Sequence, residues 1–268
     1  MQTSASSLKS KLRSRRPLLG GFVFSKDPNI PAIYAEAGFD FVVVDTEHAL
    51  NDIASVEAHL RSSAATGINA IIRLGVANVP DAPRLLDAGA EGFMIPHLGH
   101  GASGTKALLD SMKYWPDGSR PTCTGVQMAG YGLRNFAEAA ERSNRDVLSV
   151  GLVEDKDCID AIGGVLDETR VDWIMPGPAD LASSFGVHGK LDHPLVRAAI
   201  DTIIAEAQRK DVEVGIYIND PAEIAQWMTR GISFFVYSID YKVLGKSLRA
   251  TAGSCREAFA AVLDPARA

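Results

Sequence analysis

Short apolar runs alternate with amphipathic segments along most of the chain. The runs are rich in Val, Ile and Phe, and such runs are typical of strands buried on both faces of a parallel sheet. Eight of them are predicted to be strands, at residues 21–24, 39–48, 69–74, 92–97, 147–154, 172–180, 213–218 and 233–239. Strands that alternate with helices in this way predict an α/β fold, a (β/α)₈ TIM barrel. Because such barrels commonly have about 250 residues, residues 1–268 are expected to form one domain.

Capping and stop signals mark the predicted helices. Asn51 or Asp52 can cap a helix that Gly67 ends. Further helices are predicted at residues 79–88, 194–210 and 221–230, and from the last strand through residue 261. Residues 114–133 are rich in Gly and Pro instead, and a long loop in an otherwise compact repeat indicates a lid or binding loop.

The N-terminal residues are basic and contain several serines. Five basic residues lie among the first sixteen, namely Lys9, Lys11, Arg13, Arg15 and Arg16, and the first acidic residue is Asp27. Residues 1–19 therefore have two interpretations, an organelle transit peptide or a short basic helix or extension. We favour the helix, because Leu8 and Leu12 lie four residues apart and Pro17 follows.

Charge and cysteine content narrow the classes of function. The 33 acidic and 27 basic residues give a formal charge of −6, which offers no general attraction for nucleic acid or anionic lipid. No apolar run approaches the ~18 residues of a membrane span, so no membrane association is expected. Three cysteines form neither a disulfide framework nor a Cys-x-x-Cys pair, which favours a reducing, cytoplasmic location. Small molecules are therefore the expected partners.

Polar residues follow the predicted strands where a barrel builds its active site. They are Asp45, Glu47 and His48 after the second strand, Arg73 on the third, His97 on the fourth, Glu154 on the fifth and Asp180 after the sixth. In a barrel, the carboxyl ends of all strands meet at one face. We therefore expect these side chains to converge, although Asp45 and His48 could also belong to an ordinary turn.

The residue types of this group suggest a reaction. Glu154 and Asp180 offer oxygen ligands for a divalent metal ion, although each could instead cap a helix. An imidazole at His48 that Asp45 orients would suit a general base, and Arg73 suits a carboxylate or an enolate oxygen. A metal that polarises a 2-oxo acid, a base and a fixed cation together predict enolate chemistry. His97 can be structural as easily as catalytic.

These residues resemble the metal-dependent pyruvate aldolases of the HpcH/HpaI type, a family that includes 4-hydroxy-2-oxo-heptanedioate and 2-keto-3-deoxy sugar acid aldolases. The resemblance covers nearly the whole chain. It lies in residues 35–40 with 45–49, in Arg73, in residues 86–90 with 94–96, and in residues 177–181. It implies a phosphoenolpyruvate/pyruvate-type barrel whose last helix is swapped between subunits of a homo-oligomer, a trimer or a hexamer.

The resemblance also implies residue roles. His48 would be the base with Asp45 as its partner, and Arg73 would bind the ketone and enolate oxygen. Glu154 and Asp180 would hold Mg²⁺ or Mn²⁺, with Co²⁺ or Zn²⁺ as further possibilities. Gly177 and Ala179 would receive the pyruvate carboxylate, Tyr217 would form a wall that is often aliphatic in the family, and Asp87 would act across a subunit interface. This chain departs from the family at Leu152, where glutamine is usual.

The predicted function is a carbon–carbon lyase, an aldolase that reversibly cleaves a 4-hydroxy-2-oxo acid to pyruvate and an aldehyde through a pyruvate enolate. One alternative is an oxaloacetate decarboxylase or a related enolate enzyme that forms carbon–carbon bonds. An alternative of another class is a sugar-acid binding barrel without catalysis. The loop at residues 114–133 and the wall at Tyr217 are where the acceptor aldehyde is expected to be selected.

Overall fold

The structure of the chain, a computed structural model, describes residues 6–14 and 16–263. Eight parallel strands follow one another around a closed barrel, with the last strand pairing with the first. They are β1 (Leu18–Val23), β2 (Phe41–Asp45), β3 (Asn69–Arg73), β4 (Gly92–Ile95), β5 (Leu148–Val153), β6 (Trp173–Pro176), β7 (Glu213–Ile218) and β8 (Phe234–Ile239). The prediction of a (β/α)₈ barrel is confirmed, and β7 has the predicted bounds.

Helices surround this barrel. They are α1 (Leu8–Arg13), α2 (Asn29–Glu36), α3 (Ile53–Thr66), α4 (Ala82–Asp87), α5 (Ala102–Met112), α6 (Phe136–Asp146), α7 (Lys156–Glu168), α8 (Pro178–Ser184), α9 (Pro194–Arg209), α10 (Ile224–Met228) and α11 (Asp240–Leu263). Asp52 caps α3 by accepting a hydrogen bond from the Ser55 amide, and Gly67 ends that helix at φ 78°. Both capping predictions for α3 are confirmed.

Two predicted helices are shorter than expected, because a 3₁₀ turn precedes each of them. Residues 79–88 contain Pro80, and the chain there forms a 3₁₀ turn, Val76–Asp81, before α4 begins. Similarly, a 3₁₀ turn at Pro221–Glu223 precedes α10. Proline inside a helix lacks the amide hydrogen that a continuous helix needs, which explains the break at Pro80, whereas Pro221 stands at the first position of its turn, where proline is tolerated. The helix α6 is not predicted from the sequence.

Apolar side chains fill the barrel interior. The Phe41 and Phe234 rings stack with their centroids 4.4 Å apart, and the edge of Trp173 meets Phe234 at 3.8 Å. A Cβ atom at Gly20 would collide with the Phe41 ring, so the close packing requires glycine at that position. Two further apolar clusters lie between the sheet and the surrounding helices. The interior is therefore a packed core, and space for a ligand is left at its open end.

The helix α1 closes the N-terminal end of the barrel. Leu8 and Leu12 are buried in the same cluster as the interior residues of the strands. The Leu8 amide donates to Glu91 Oε2 at 3.0 Å. The predicted helix is thus present, whereas Arg15 lies outside the described residues.

The helix α11 leaves the barrel with much of its apolar surface exposed. The exposed apolar side chains are Tyr241, Val243, Leu244, Leu248, Phe259, Val262 and Leu263. None of the helices in the described part of the chain is both long and apolar enough to span a membrane.

Candidate active site

A cavity of about 1140 Å³ opens at the carboxyl ends of the strands. Five of the predicted site residues that line it come from different strand ends: His48, Arg73, Glu154, Asp180 and Tyr217. Gly177 and Ala179 line it as well. The structure therefore brings together seven of the nine predicted site residues. Asp45 lies directly behind the cavity, and Asp87 lies outside its lining.

Asp45 holds the loop after β2 and the side chain of Arg73. Asp45 and Arg73 are register partners on β2 and β3, and their side chains form an ion pair. Oδ1 of the fully buried Asp45 also accepts hydrogen bonds from the amides of Glu47, His48 and Ala49, at 2.7 to 3.0 Å. Asp45 thus binds the backbone of His48, which corrects the expected pair between Asp45 and the imidazole. The reason is that this carboxylate is already occupied by a guanidinium and three amides.

Glu47 was expected at this site as a strand-end residue but was assigned no role from the sequence. Its Oε2 lies 3.6 Å from Nη1 of Arg73 and 3.7 Å from Nε2 of His48. Burial raises the pKa of Glu47, while Arg73 and His48 act in the opposite direction. Glu47 is therefore the carboxylate nearest to the His48 ring. Its place after a buried strand, directly before His48, predicted this position correctly.

Glu154 is almost fully buried at the end of β5. Val153 pairs with Pro176 of β6, so Glu154 and Gly177 follow side by side. A Cβ atom at Gly177 would lie 2.8 Å from the Glu154 Cβ, which is too close, and this approach requires glycine. Oε1 of Glu154 accepts a hydrogen bond of 2.7 Å from the amide of His97. Glu154 itself does not cap a helix, because Asp155 caps α7.

Asp180 lies in the first turn of α8 and lines the cavity opposite Glu154. Gly177 is the N-cap residue of this helix, and Pro178 begins it. The helix-cap interpretation of Asp180 is therefore not met, because its carboxylate is exposed at the cavity. Burial raises the pKa of Glu154, and the nearby Glu47 and Asp180 add to that increase, while the amide and ring of His97 oppose it. Like charges thus face one another across this end of the cavity.

Comparison with known proteins agrees with this geometry. The family model of the HpcH/HpaI aldolase/citrate lyase family matches residues 18–244. The chain belongs to this family. A hydroxypyruvate/pyruvate aldolase from Sagittula stellata is 30% identical over 87% of this chain and 90% of its own length. Another from Paraburkholderia phytofirmans is 28% identical over 96% and 99%. The crystal structure of an HpcH/HpaI aldolase from Desulfitobacterium hafniense has a TM-score of 0.87 and 27% identity, covering 94% of this chain and 97% of that one.

The residues present fit the metal dependence that is typical of the HpcH/HpaI family. Within residues 6–14 and 16–263, no three His, Cys, Asp or Glu side chains form a group that could hold a metal ion alone. Glu154 and Asp180 both line the open cavity with their carboxylates, and hard divalent ions such as Mg²⁺ take oxygen ligands while keeping several waters. A divalent cation would also offset the like charges that raise the pKa of Glu154.

The far wall of the HpcH/HpaI cavity is polar in this chain. The Tyr217 hydroxyl donates to Asn219 Oδ1 at 2.9 Å and accepts from Lys242 Nζ at 3.4 Å. Lys242 lies near the start of α11, where the Asp240 carboxylate accepts hydrogen bonds from the amides that follow β1. The Phe22 ring lies between Tyr217, at 6.1 Å, and the guanidinium of Arg73, at 4.6 Å. The cavity therefore has a cation at each end and aromatic rings between them.

Asp87 pairs with the long loop that precedes α6. Its carboxylate forms an ion pair with Arg120, whose side chain is fully buried against the Tyr114 ring at 4.5 Å. Arg120 Nη1 also donates to Ser143 Oγ at 3.1 Å. The loop is thus anchored at Arg120, while its Trp115 side chain is exposed. In a single chain, Asp87 is a structural partner of the loop.

Proposed function

We propose that this protein is a metal-dependent aldolase that reversibly cleaves a 4-hydroxy-2-oxo acid to pyruvate and an aldehyde. The observation that carries the proposal is the convergence of His48, Arg73, Glu154 and Asp180 on one cavity at the open end of the barrel. Membership of the HpcH/HpaI family and relatives named pyruvate aldolases support it.

Arg73 is suited to the oxygen on which negative charge develops. Its guanidinium is held by the buried Asp45 and lies over the Phe22 ring, so it is fixed before substrate arrives. A fixed cation in a partly closed cavity stabilises an enolate oxygen without having to reorganise. We assign Arg73 to the ketone oxygen of the 2-oxo acid, with the pyruvate carboxylate near the backbone of Gly177 and Ala179.

His48 is the group that moves protons in this proposal. In the cleavage direction a proton leaves the C4 hydroxyl, the C3–C4 bond breaks, and C3 of the resulting enolate takes up a proton. The His48 ring lines the cavity, and Glu47 lies beside its Nε2 atom. An imidazole titrates near neutral pH and can therefore serve both transfers. Asp45 assists by fixing the loop that carries His48.

Glu154 and Asp180 would hold the divalent metal, for which we propose Mg²⁺ or Mn²⁺, with Co²⁺ or Zn²⁺ as further candidates. When bound, such an ion acts as a Lewis acid toward the oxygens of the 2-oxo acid. Glu154 brings its charge into a buried position next to Gly177, and Asp180 approaches from the first turn of α8.

The aldehyde would lie toward Tyr217 and Lys242. The Tyr217 hydroxyl already binds both Asn219 and Lys242, so it presents a hydrogen-bonding surface where an aliphatic side chain would present none. We propose that Tyr217 contacts the acceptor and favours polar aldehydes over apolar ones of the same length.

We also propose that the protein works as a homo-oligomer, a trimer or a hexamer. The apolar side chains exposed along α11 would be buried if this helix packed on a neighbouring subunit. Assembly would also give Asp87 and its loop a neighbouring cavity to contribute to. The molar mass of the purified protein, measured by light scattering after size exclusion, tests this assembly.

Pyruvate release tests the proposed activity directly. With Mg²⁺ or Mn²⁺, we expect pyruvate to be released from 4-hydroxy-2-oxo acids, and Arg73→Lys to abolish most of that release. Release from oxaloacetate alone would replace the aldolase with the decarboxylase alternative. Binding of 2-oxo acids without any release would favour the binding barrel.

A further inference from the structure

The turn after β4 has an unusual backbone. His97, Leu98 and His100 have φ values of 46°, 39° and 55°, and Gly101 follows at 100°. Residues other than glycine rarely adopt this left-handed backbone conformation, and His97 and Leu98 adopt it consecutively. Such a turn persists only where its surroundings hold it, and turns of this kind are concentrated at functional sites.

Leu98 anchors the turn in the core. Its side chain is buried against Gly151 of β5, where an added Cβ atom would collide with Leu98 Cδ1. The Leu98 carbonyl accepts a hydrogen bond of 2.5 Å from Thr105 Oγ1, at the start of α5. The path of the turn is therefore fixed from both sides, by the glycine in β5 and by the hydroxyl in α5.

The ring of His97 does not line the reaction cavity, although its Nδ1 lies 3.6 Å from Oε1 of Glu154. Its Nδ1 lies 2.8 Å from Oδ2 of Asp155, the residue that caps α7. The ring stacks on His100, with centroids 5.2 Å apart, and lines a separate cavity of about 210 Å³. The imidazole is therefore placed to hold the turn and does not face the substrate.

The amide of His97 does point toward the main cavity. It donates the hydrogen bond of 2.7 Å to Oε1 of Glu154. The direction of this N–H follows from the backbone of the turn, which β4 fixes on one side and the buried Leu98 on the other. Partners of this kind orient metal-binding carboxylates in other proteins.

We propose that His97 is a positioning residue whose left-handed backbone aims its amide at Glu154 and so holds this carboxylate ready for a divalent cation. The inference rests on the proposed function, because it takes Glu154 as a metal ligand. In this view the strand-end histidine contributes through its backbone, and its ring helps by its bond to Asp155.

Two substitutions at His97 separate the backbone from the ring. His97→Gly and His97→Val both remove the imidazole, but only glycine tolerates a positive φ. We expect His97→Val to weaken Mn²⁺ binding at least about tenfold, and His97→Gly to stay within about threefold of the unsubstituted protein. Gly151→Ala should weaken Mn²⁺ binding as well, because it displaces Leu98. Binding is measured with Mn²⁺ alone, from the electron paramagnetic resonance signal of the free ion.

A strain control and a second readout complete the test. Tyr131, at φ 56°, lies in the loop before α6, so Tyr131→Val adds comparable strain far from Glu154 and should leave Mn²⁺ affinity unchanged. The visible spectrum of bound Co²⁺ should shift in His97→Val and stay unshifted in His97→Gly. Equal Mn²⁺ affinities for the valine and glycine variants, or an equal loss in Tyr131→Val, would overturn the inference. If His97→Val does not fold, the Mn²⁺ affinity of Gly151→Ala tests the inference instead, and an unchanged affinity would overturn it.

The failure of this inference is distinguishable from that of the proposed function. Unsubstituted protein that binds no Mn²⁺ would overturn the metal-dependent function, and the inference with it. Unsubstituted protein that binds Mn²⁺ and releases pyruvate, while His97→Val matches it in both, would overturn the inference alone.

Discussion

The two ends of the barrel treat charged side chains in opposite ways. At the closed end, Lys9 Nζ lies 2.6 Å from Asp172 Oδ1 and donates to the Val147 carbonyl at 3.0 Å. The other Asp172 oxygen accepts hydrogen bonds from the amide and hydroxyl of Ser149. At the open end, Glu154 faces carboxylates of the same sign. The charges of Lys9 and Asp172 are thus matched with each other, whereas Glu154 and Asp180 add like charges to the cavity.

This difference separates stability from activity. Paired groups at the closed end stabilise the folded chain, and removing one partner leaves the other buried without compensation. Like charges at the open end destabilise the folded chain until a cation binds, which is the usual relation between stability and function at a site. Substitutions at the open end should therefore lower activity without lowering stability. Substitutions at the closed end should lower stability without lowering activity.

The largest effect is expected at Glu154. Glu154→Gln should lower the rate of aldol cleavage about 1000-fold, because the proposed metal ligand and its charge are lost. The free energy of unfolding without metal should stay unchanged or rise, since the amide oxygen can still accept the His97 hydrogen bond while the repulsion disappears. Cleavage assays and urea unfolding measure the two quantities. Glu168→Gln, on the exposed end of α7, is the matched control. If Glu154→Gln lost both activity and stability, the claimed difference between the two ends of the barrel would be contradicted.

At Lys9, at the closed end, we expect a loss of stability without a loss of activity. Lys9→Met should lower the free energy of unfolding by about 2 kcal/mol, because Asp172 loses its ion-pair partner. The rate of cleavage by the folded variant should not change. Urea unfolding measures the free energy of unfolding, and the cleavage assay measures the rate. Arg13→Met, at an exposed position of the same helix, is the control. Lost cleavage in folded Lys9→Met would show that the closed end also serves the reaction.

A smaller effect is expected at the far wall of the cavity. Tyr217→Leu should raise the KM of polar aldehydes about tenfold, since it removes a hydroxyl that binds Asn219 and Lys242. The KM of pyruvate should be unaffected, because pyruvate binds near Arg73 in the proposal. Steady-state kinetics in the synthesis direction measure both values. Unchanged selectivity between a polar and an apolar aldehyde of equal length would remove Tyr217 from acceptor recognition.

The smallest effect concerns pH and the closed end. Burial raises the pKa of Glu91 above 4.5, although hydrogen bonds from Leu8 and Asn69 act against this shift. The folded chain then binds the proton more tightly than the unfolded chain, so stability is lost as the pH rises from about 4.5 through the raised pKa. In Glu91→Gln, urea unfolding should show a weaker decline over that window. Glu257→Gln, on the exposed α11, is the control. If stability falls with pH as steeply in Glu91→Gln as in this control, the fall is caused by other groups.

The alternation of apolar runs and helical segments predicted the barrel well, because this pattern is local in the sequence. Apolar runs and the glycines that end helices depend on neighbouring residues, so β7 and the caps of α3 were predicted correctly. The rule that strand ends converge then placed Arg73 and Glu154 in one cavity. Strand position and fold geometry were sufficient for this part of the site.

The details that the sequence did not reveal depend on contacts between distant segments. The binding of Asp45 to three amides follows from the path of a loop, which residue types do not reveal. The hydrogen bond from the His97 amide to Glu154 depends on the direction of the backbone, next to which Leu98 packs against Gly151. The ion pair of Asp87 with Arg120 joins two segments whose contact no local pattern shows. The helix α6 was missed for a simpler reason, since Ala139 is its one fully buried residue and its apolar pattern is weak.

The most direct test of the central claim is the exchange of pyruvate methyl protons with heavy water, followed by NMR. The protein is first stripped of metal and then resupplied with Mg²⁺ or Mn²⁺, and no aldehyde is needed. The account predicts exchange that requires the metal and disappears in Glu154→Gln. Absence of exchange with every divalent ion, or equally fast exchange without metal, would contradict the claim that the unmatched charges of the open end serve a metal-dependent enolate site.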